Sequence, residues 1–298
     1  MTVLALPDGA WQPESQSRGA RLGRLLRQLL RRPLFVIGLL IVSTILLAAL
    51  LAPLIAPCDP FQVRMDNVLK APSALHLFGT DELGRDVLSR VLYGARISVL
   101  EGLFAVFIAV VLGVPLGMAA GYAGGFVESA IMRIVDVMLA FPGVLLAVVI
   151  VAILGPSLVN AMVAVGLYTM PIFARLARGA TLSVRAEPYI ESCRAVGMSP
   201  LRIVVKHVLP NIAGTLWVMA TLHVGLAILS ASSLSFLGLG AQAPSPEWGA
   251  MLSNGRSYML IAPHVVVFPG VAILLLVLGI NLVYDGLRTV LDPKAREQ

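Results

Sequence analysis

The chain has 298 residues, of which 58% are hydrophobic and only 13% charged, with a formal net charge of +6. About a quarter of a soluble domain's residues are charged, so the polar surface here is too small to coat a water-soluble globule. The Lys and Arg residues flank apolar runs instead of forming one basic stripe, which argues against a nucleic-acid-binding domain.

Five stretches carry no Asp, Glu, Lys or Arg. They lie between Arg32 and Asp59 (26 residues), Glu101 and Glu128 (26), Asp136 and Arg175 (38), Lys206 and Glu247 (40), and Arg256 and Asp285 (28). About 20 apolar residues cross the hydrocarbon core as a helix, so each gap holds at least one crossing. The expected fold class is an all-α membrane protein with six transmembrane helices.

Residues 1–33 precede the first crossing. The first 17 are polar and expected to be disordered. Arg18, Arg21, Arg24, Arg27, Arg31 and Arg32 then interleave with leucines. Arginines three apart share a helix face, so this segment reads as a basic amphipathic helix. It is either a simple positive-inside anchor or a helix lying on anionic membrane lipid. The first span covers 34–56. Its charge-free run of 26 residues exceeds the roughly 7–15 apolar residues of a cleaved signal, so it is expected to be retained.

Residues 57–96, with Pro57, Pro60 and Pro72, form a loop outside the membrane. The second span follows at about 97–122. In it, Gly113, Gly117 and Gly121 are spaced by four, which permits close approach of another helix. The 38-residue gap would make one helix of about 57 Å, too long for a single crossing. Gly155-Pro156-Ser157 divides it into spans at about 129–153 and 158–176. The first of these carries Arg133 and Asp136, read as a structural pair on one face or as side chains snorkelling to the headgroups.

The second polar block, 177–211, is not purely polar. Glu187–Val196 reads as a short helix closed by Gly197 with positive φ. Pro200 begins a second helix, which Pro210 is expected to end. The product is a helix–turn–helix knob of mixed apolar and basic residues, suited to a groove on a soluble partner. A fifth span at about 212–234 and a sixth at about 263–284 follow, then a tail at 286–298. With the N-terminus inside, the inner segments hold sixteen Lys and Arg against six outside, the asymmetry expected of cytoplasmic termini. Cys58 and Cys193 then lie on opposite sides, so no disulfide joins them, and no metal-site spacing involves them.

The knob resembles the EAA loop of type I ABC importer permeases. Glu191, Gly197, Leu209 and Pro210 stand at that loop's spacing, with Ser192 and Cys193 in place of two alanines and His207 in place of isoleucine. Further matches support the resemblance. They are His76-Leu77-Phe78-Gly79-Thr80-Asp81-Glu82-Leu83-Gly84-Arg85-Asp86, Arg133-Ile134-Val135-Asp136 with Phe141-Pro142, Ser233-Leu234-Ser235-Phe236-Leu237-Gly238, and Pro246-Glu247-Trp248-Gly249. They are similar to C-type permeases of the peptide-import group, the dipeptide and glutathione kind above all. The resemblance implies a permease core over 97–285, with its EAA loop at about 187–210 acting as a coupling helix in an ATPase. The implied setting is the bacterial inner membrane. The implied partners are a second homologous permease, two cytoplasmic ATPase subunits and an extracytoplasmic solute-binding protein. The implied cargo is di- and oligopeptides, glutathione included.

Single residues carry weaker signals. His223, Asn160 and Asn281 read as pathway-lining or as helix-packing groups. Glu247 and Trp248 read as an aromatic-belt anchor or as a lip meeting the binding protein. His264 reads as interfacial. No Walker phosphate loop, HExxH or GxSxG run occurs, so ATP is expected on partner subunits, with no cofactor, metal or catalytic residue in this chain. The rival readings are a nickel-chelate importer of the same group, a stand-alone secondary transporter, which should show mid-span ion-binding charges, and a membrane-embedded enzyme.

Overall fold

The computed structural model describes Gly23 and residues 27–291. The segment 1–22, most of the basic Arg18–Arg32 stretch and the end of the 286–298 tail lie outside the described residues. Ten α-helices follow one another from Pro33. They are α1 (Pro33–Ile55), α2 (Val87–Ala123), α3 (Gly125–Ala140), α4 (Gly143–Leu154), α5 (Leu158–Arg185), α6 (Pro188–Ala195), α7 (Pro200–Ile203), α8 (Leu209–Phe236), α9 (Trp248–Gly255) and α10 (His264–Leu291). A π-helical turn, Val204–Val208, joins α7 to α8. Among the described residues no strand occurs beyond an isolated bridge between Thr80 and Asp86.

Five stretches are long and apolar enough to cross a membrane singly: α1, α2, α5, the run Pro200–Phe236 and α10. The pair α3 and α4 makes a sixth, bent by 95°. The expected single span at 129–153 is therefore broken. Pro142 causes the break, because a residue before proline avoids the α region and α3 ends at Ala140.

Two other boundaries differ from the expected ones. The second spanning helix starts at Val87, ten residues early, where Asp86 caps it by accepting from the Ser89 N–H at 2.8 Å. Pro210 does not end a helix. It sits in the first turn of α8, and the helix is continuous from Pro200 to Phe236. Proline inside a helix loses one backbone hydrogen bond and clashes with the carbonyl four residues back. The π turn just before it widens the coil at that point.

Tight packing between α2 and α5 holds the bundle together. In lipid, apolar burial between helices gains little, and close backbone approach drives association instead. The Gly113–Gly117–Gly121 stripe provides it. A Cβ at these positions would stand 2.5, 2.2 and 2.8 Å from the carbonyl oxygens of Met170, Ala174 and Arg178. Around this seam Ala105, Ala109, Val165, Phe173, Ala174 and Ala177 are buried. By contrast α1 buries only Phe35, Gly38, Ala49 and Ala52, along its contact with α10 and α2, and leaves Leu50 and Leu54 exposed.

The helix ends define two faces. One end, here the cap, gathers the 56–86 loop, the α4–α5 turn and residues 237–263. Arg90 is its hub. The Arg90 guanidinium, only 1% exposed, donates to the carbonyls of Pro60 (3.1 Å), Pro244 and Ser245 (3.4 Å each) and lies 3.4 Å from the Asp81 carboxylate. Asp81 also pairs with Arg85 at 2.7 Å. The opposite end carries the α2–α3 turn and residues 185–208, here called the elbow.

Candidate functional site

The elbow is built by turn chemistry. Pro188 opens α6 at its first turn, where a missing N–H costs nothing. Gly197 closes the helix with φ +77°, a left-handed conformation that a side chain disfavours. The Gly197 N–H donates to the Arg194 carbonyl and the Met198 N–H to the Cys193 carbonyl, which is the Schellman pattern. Pro200 then opens α7.

Three apolar side chains seat this piece against the bundle. Ile190, Ile203 and Val208 are each fully buried. The other face is bare: Val196 is 79% exposed and Leu201 74%. Glu191, Ser192, Gly197 and Pro210 are also exposed, while Cys193, His207 and Leu209 are half-buried. The Cys193 Sγ lies 3.9 Å from His207 Nε2, and the Asn211 amide donates to the Tyr189 hydroxyl at 3.1 Å and to the His207 carbonyl at 2.6 Å. The fold thus brings Cys193 beside His207 across the turn. The elbow's most exposed apolar side chains are Val196 and Leu201, which motif spacing did not single out.

The elbow is tied to the ends of the long helices beside it. The Arg194 and Arg185 guanidinium groups lie 5.2 and 6.0 Å from the centroid of the Tyr122 ring, and Arg185 donates to the Gly121 carbonyl at 3.3 Å. Beside it, Arg178 bonds Glu128 through Nε at 2.6 Å, and Arg175 bonds Asp136 at 2.6 Å. These pairs join α5 to α3 and line a cleft of about 370 Å³. The expected Arg133–Asp136 pairing does not form. Arg133 is exposed, and Asp136 turns to Arg175, 39 positions away in sequence.

The remaining candidates are dispersed. His223 is 8% exposed and packs on Phe173, with ring centroids 5.3 Å apart. Asn160 caps the α4–α5 turn by donating to the carbonyls of Leu154 and Gly155. Asn281 is partly buried, with a side-chain carbonyl that has no partner. Glu247 and Trp248, expected at an outer surface, are 0% and 1% exposed. Glu247 caps α9 by accepting from the N–H groups of Gly249 and Ala250 at 2.7 Å, and the Trp248 indole donates to the Val91 carbonyl at 3.0 Å. Burial pushes the Glu247 carboxyl up from its ordinary value, against the two backbone N–H groups, Ser235 and Ser232, which pull it down. His264 lies 3.1 Å from the Thr80 carbonyl, inside the cap.

Comparison with known proteins bears on this arrangement. Residues 113–297 match the family described as binding-protein-dependent transport system inner membrane component. Residues 21–72 match the N-terminal TM domain of oligopeptide transport permease C. The chain is 49% identical over 270 residues to the dipeptide transport system permease protein DppC of Alkalihalophilus pseudofirmus, covering 91% of this chain and 89% of that one. It is 51% identical over 271 residues to the glutathione transport system permease protein GsiD of Shigella flexneri, with the same coverage. Among solved structures, a chain of the MetNI methionine ABC transporter superposes with a TM-score of 0.55 at 23% identity. It covers 67% of this chain and 96% of that one, a likeness of fold.

Proposed function

The chain belongs to the family of binding-protein-dependent transport system inner membrane components, and from that premise we propose that its elbow carries the stroke of an ATPase to a path for small peptides. The chain is a multi-pass inner-membrane permease of an ABC importer. Its cargo is di- and oligopeptides, glutathione included. The support is identity of about half over nine-tenths of the chain with permeases named for dipeptide and glutathione. Its partners are a second homologous permease, two ATPase subunits that bind the ATP, and an extracytoplasmic binding protein. The chain itself performs no enzymatic step.

One observation carries the docking reading. A short helix pair is fixed from below by buried Ile190, Ile203 and Val208 and presents bare Val196 and Leu201 away from the bundle. Exposed apolar points on a rigid, partly basic knob are suited to a groove in a soluble partner. The elbow therefore faces the cytoplasm, with both termini on that side, and the cap faces out. The exposed Arg175–Asp136 pair adds a second constraint. Charges on spanning helices are costly in lipid, so this face of α3 and α5 turns to the second permease and the water-filled path.

The test is the ATPase rate of the purified complex, reconstituted with its binding protein. Stimulation by the binding protein loaded with a dipeptide or glutathione is the expected result. Stimulation by a loaded nickel chelate and by no peptide would overturn the cargo reading.

A further inference from the structure

The cap brings together three potential metal ligands that lie far from the elbow and have no part in the coupling described above. Cys58 follows the end of α1, His76 belongs to the outer loop and Asp86 caps α2. The Cys58 Sγ, a ring nitrogen of His76 and a carboxylate oxygen of Asp86 all lie within 4.8 Å of one another. Spacings of 18 and 10 residues match no familiar metal motif, so the cluster is visible only in three dimensions.

The ligands are held by other groups, as good metal ligands are. Asp86 Oδ2 is engaged by the Ser89 N–H at 2.8 Å and the Ser89 hydroxyl at 2.7 Å, which leaves Oδ1 to face His76 Nδ1 at 2.9 Å. The His76 backbone is pinned by bonds to Ser73 and Gly79. The Cys58 N–H donates to the same Ser89 hydroxyl at 3.1 Å. Asp86 and His76 are 2% and 8% exposed, while Cys58 is half-buried. A His–Asp hydrogen bond alone explains the burial of those two residues. It does not explain a thiol placed beside them.

We propose that Cys58, His76 and Asp86 bind one divalent cation of the zinc class. Sulfur, nitrogen and oxygen donors together suit that borderline-soft ion, whereas calcium and magnesium take oxygen ligands. Thiolate and carboxylate balance its double charge. Tetrahedral bonds of about 2.0–2.3 Å put donor atoms roughly 3.5 Å apart, so His76 and Asp86, now 2.9 Å apart, would part slightly to admit the ion while the Cys58 thiol, within 4.8 Å of both, draws in. Three protein ligands leave a fourth position for water. The ion would staple the end of α1, the 57–86 loop and the start of α2, tightening the cap.

The test uses the full-length chain in nanodiscs, titrated with Co²⁺ as a spectroscopic stand-in and then with Zn²⁺. The expected result is a thiolate-to-cobalt absorption that saturates at one equivalent and is displaced by Zn²⁺. Cys58→Ser should abolish it, and His76→Gln should weaken binding at least tenfold. Cys58→Ser keeps the bond from residue 58's backbone to Ser89 and so should still fold, and both proteins are compared in a Cys193→Ser background so that residue 58 alone can supply a thiolate. No thiolate band at one equivalent, or a band of equal strength in Cys58→Ser, would overturn the proposal. None of these readings depends on transport, so they stand apart from the test of cargo.

Discussion

The Arg194 guanidinium of the elbow lies 5.2 Å from the centre of the Tyr122 ring, at the C-terminal end of α2. A cation over an aromatic face is worth about 0.5–1 kcal/mol at exposed sites. The contact joins the elbow to α2, which packs closely on α5 through Gly113, Gly117 and Gly121. Motion of the elbow can therefore reach the bundle through Tyr122, as well as through the chain at Arg185.

Replacing Tyr122 by leucine keeps bulk and removes the ring. We expect ATPase subunits to remain bound while the binding-protein-stimulated rate falls about two- to fivefold, the factor that corresponds to the lost contact. Transport and ATP hydrolysis measured on the same proteoliposomes check it. An unchanged ratio would remove Tyr122 from the coupling route.

The α2–α5 seam predicts a stability effect. A Cβ at Gly117 would sit 2.2 Å from the Ala174 carbonyl oxygen. Overpacking of this kind costs about 1–3 kcal/mol. Gly117→Leu should lower the melting temperature in detergent by several degrees or prevent assembly. Gly179, which has open space around its Cβ position, should tolerate Gly179→Ala on the same helix pair.

The Glu247 carboxyl sets a pH dependence. Its folded value is raised above the ordinary 4.5, burial being the main cause. The folded state then holds a proton that the unfolded state gives up, so stability is fully present below about pH 4.5 and is lost as pH rises toward the folded value. The buried carboxyl of Glu101 on α2 has no hydrogen-bond partner. Melting temperature should fall between pH 5 and pH 8 in the natural chain. In Glu247→Gln, which retains an acceptor for the α9 cap, that slope should shrink. An equal slope in both proteins would assign the dependence elsewhere.

The charged cleft predicts a rescue. Arg175 and Asp136 are bonded at 2.6 Å, yet their side chains are 57% and 59% exposed, so the pair contributes at most about 1 kcal/mol to stability. Arg175→Asp should impair transport more than it lowers the melting temperature. Combining it with Asp136→Arg should restore part of the rate. No recovery in the double variant would mean that each charge acts alone.

Much of the fold was legible in one dimension because lipid forbids stray charge. Charge-free gaps located α1, α5, α8 and α10, and Gly197 and Pro200 placed the elbow's turn. The same rule misplaced the start of α2, because Arg90 lies within a spanning helix once the carbonyls of Pro60, Pro244 and Ser245 and the Asp81 carboxylate surround it. Proline stops a helix at Pro142, inside the single span expected at 129–153, and does not at Pro210, expected to end one, where a π turn absorbs it. Pairings across the bundle, Arg175 with Asp136 and Trp248 with Val91, leave no periodic trace, so three-residue spacing favoured Arg133 instead. The buried state of Glu247 and Trp248 likewise depends on the cap closing over them.

The most direct measurement concerns Val196, the most exposed apolar point of the elbow. Val196→Cys, in a chain with Cys58→Ser and Cys193→Ser, would be exposed to a membrane-impermeant maleimide. It should react in inverted vesicles and not from the outer side of intact cells, and bound ATPase subunits should protect it. Labelling from outside, or an equal rate with the ATPase subunits present and stripped away, would contradict a cytoplasmic elbow seated in a motor.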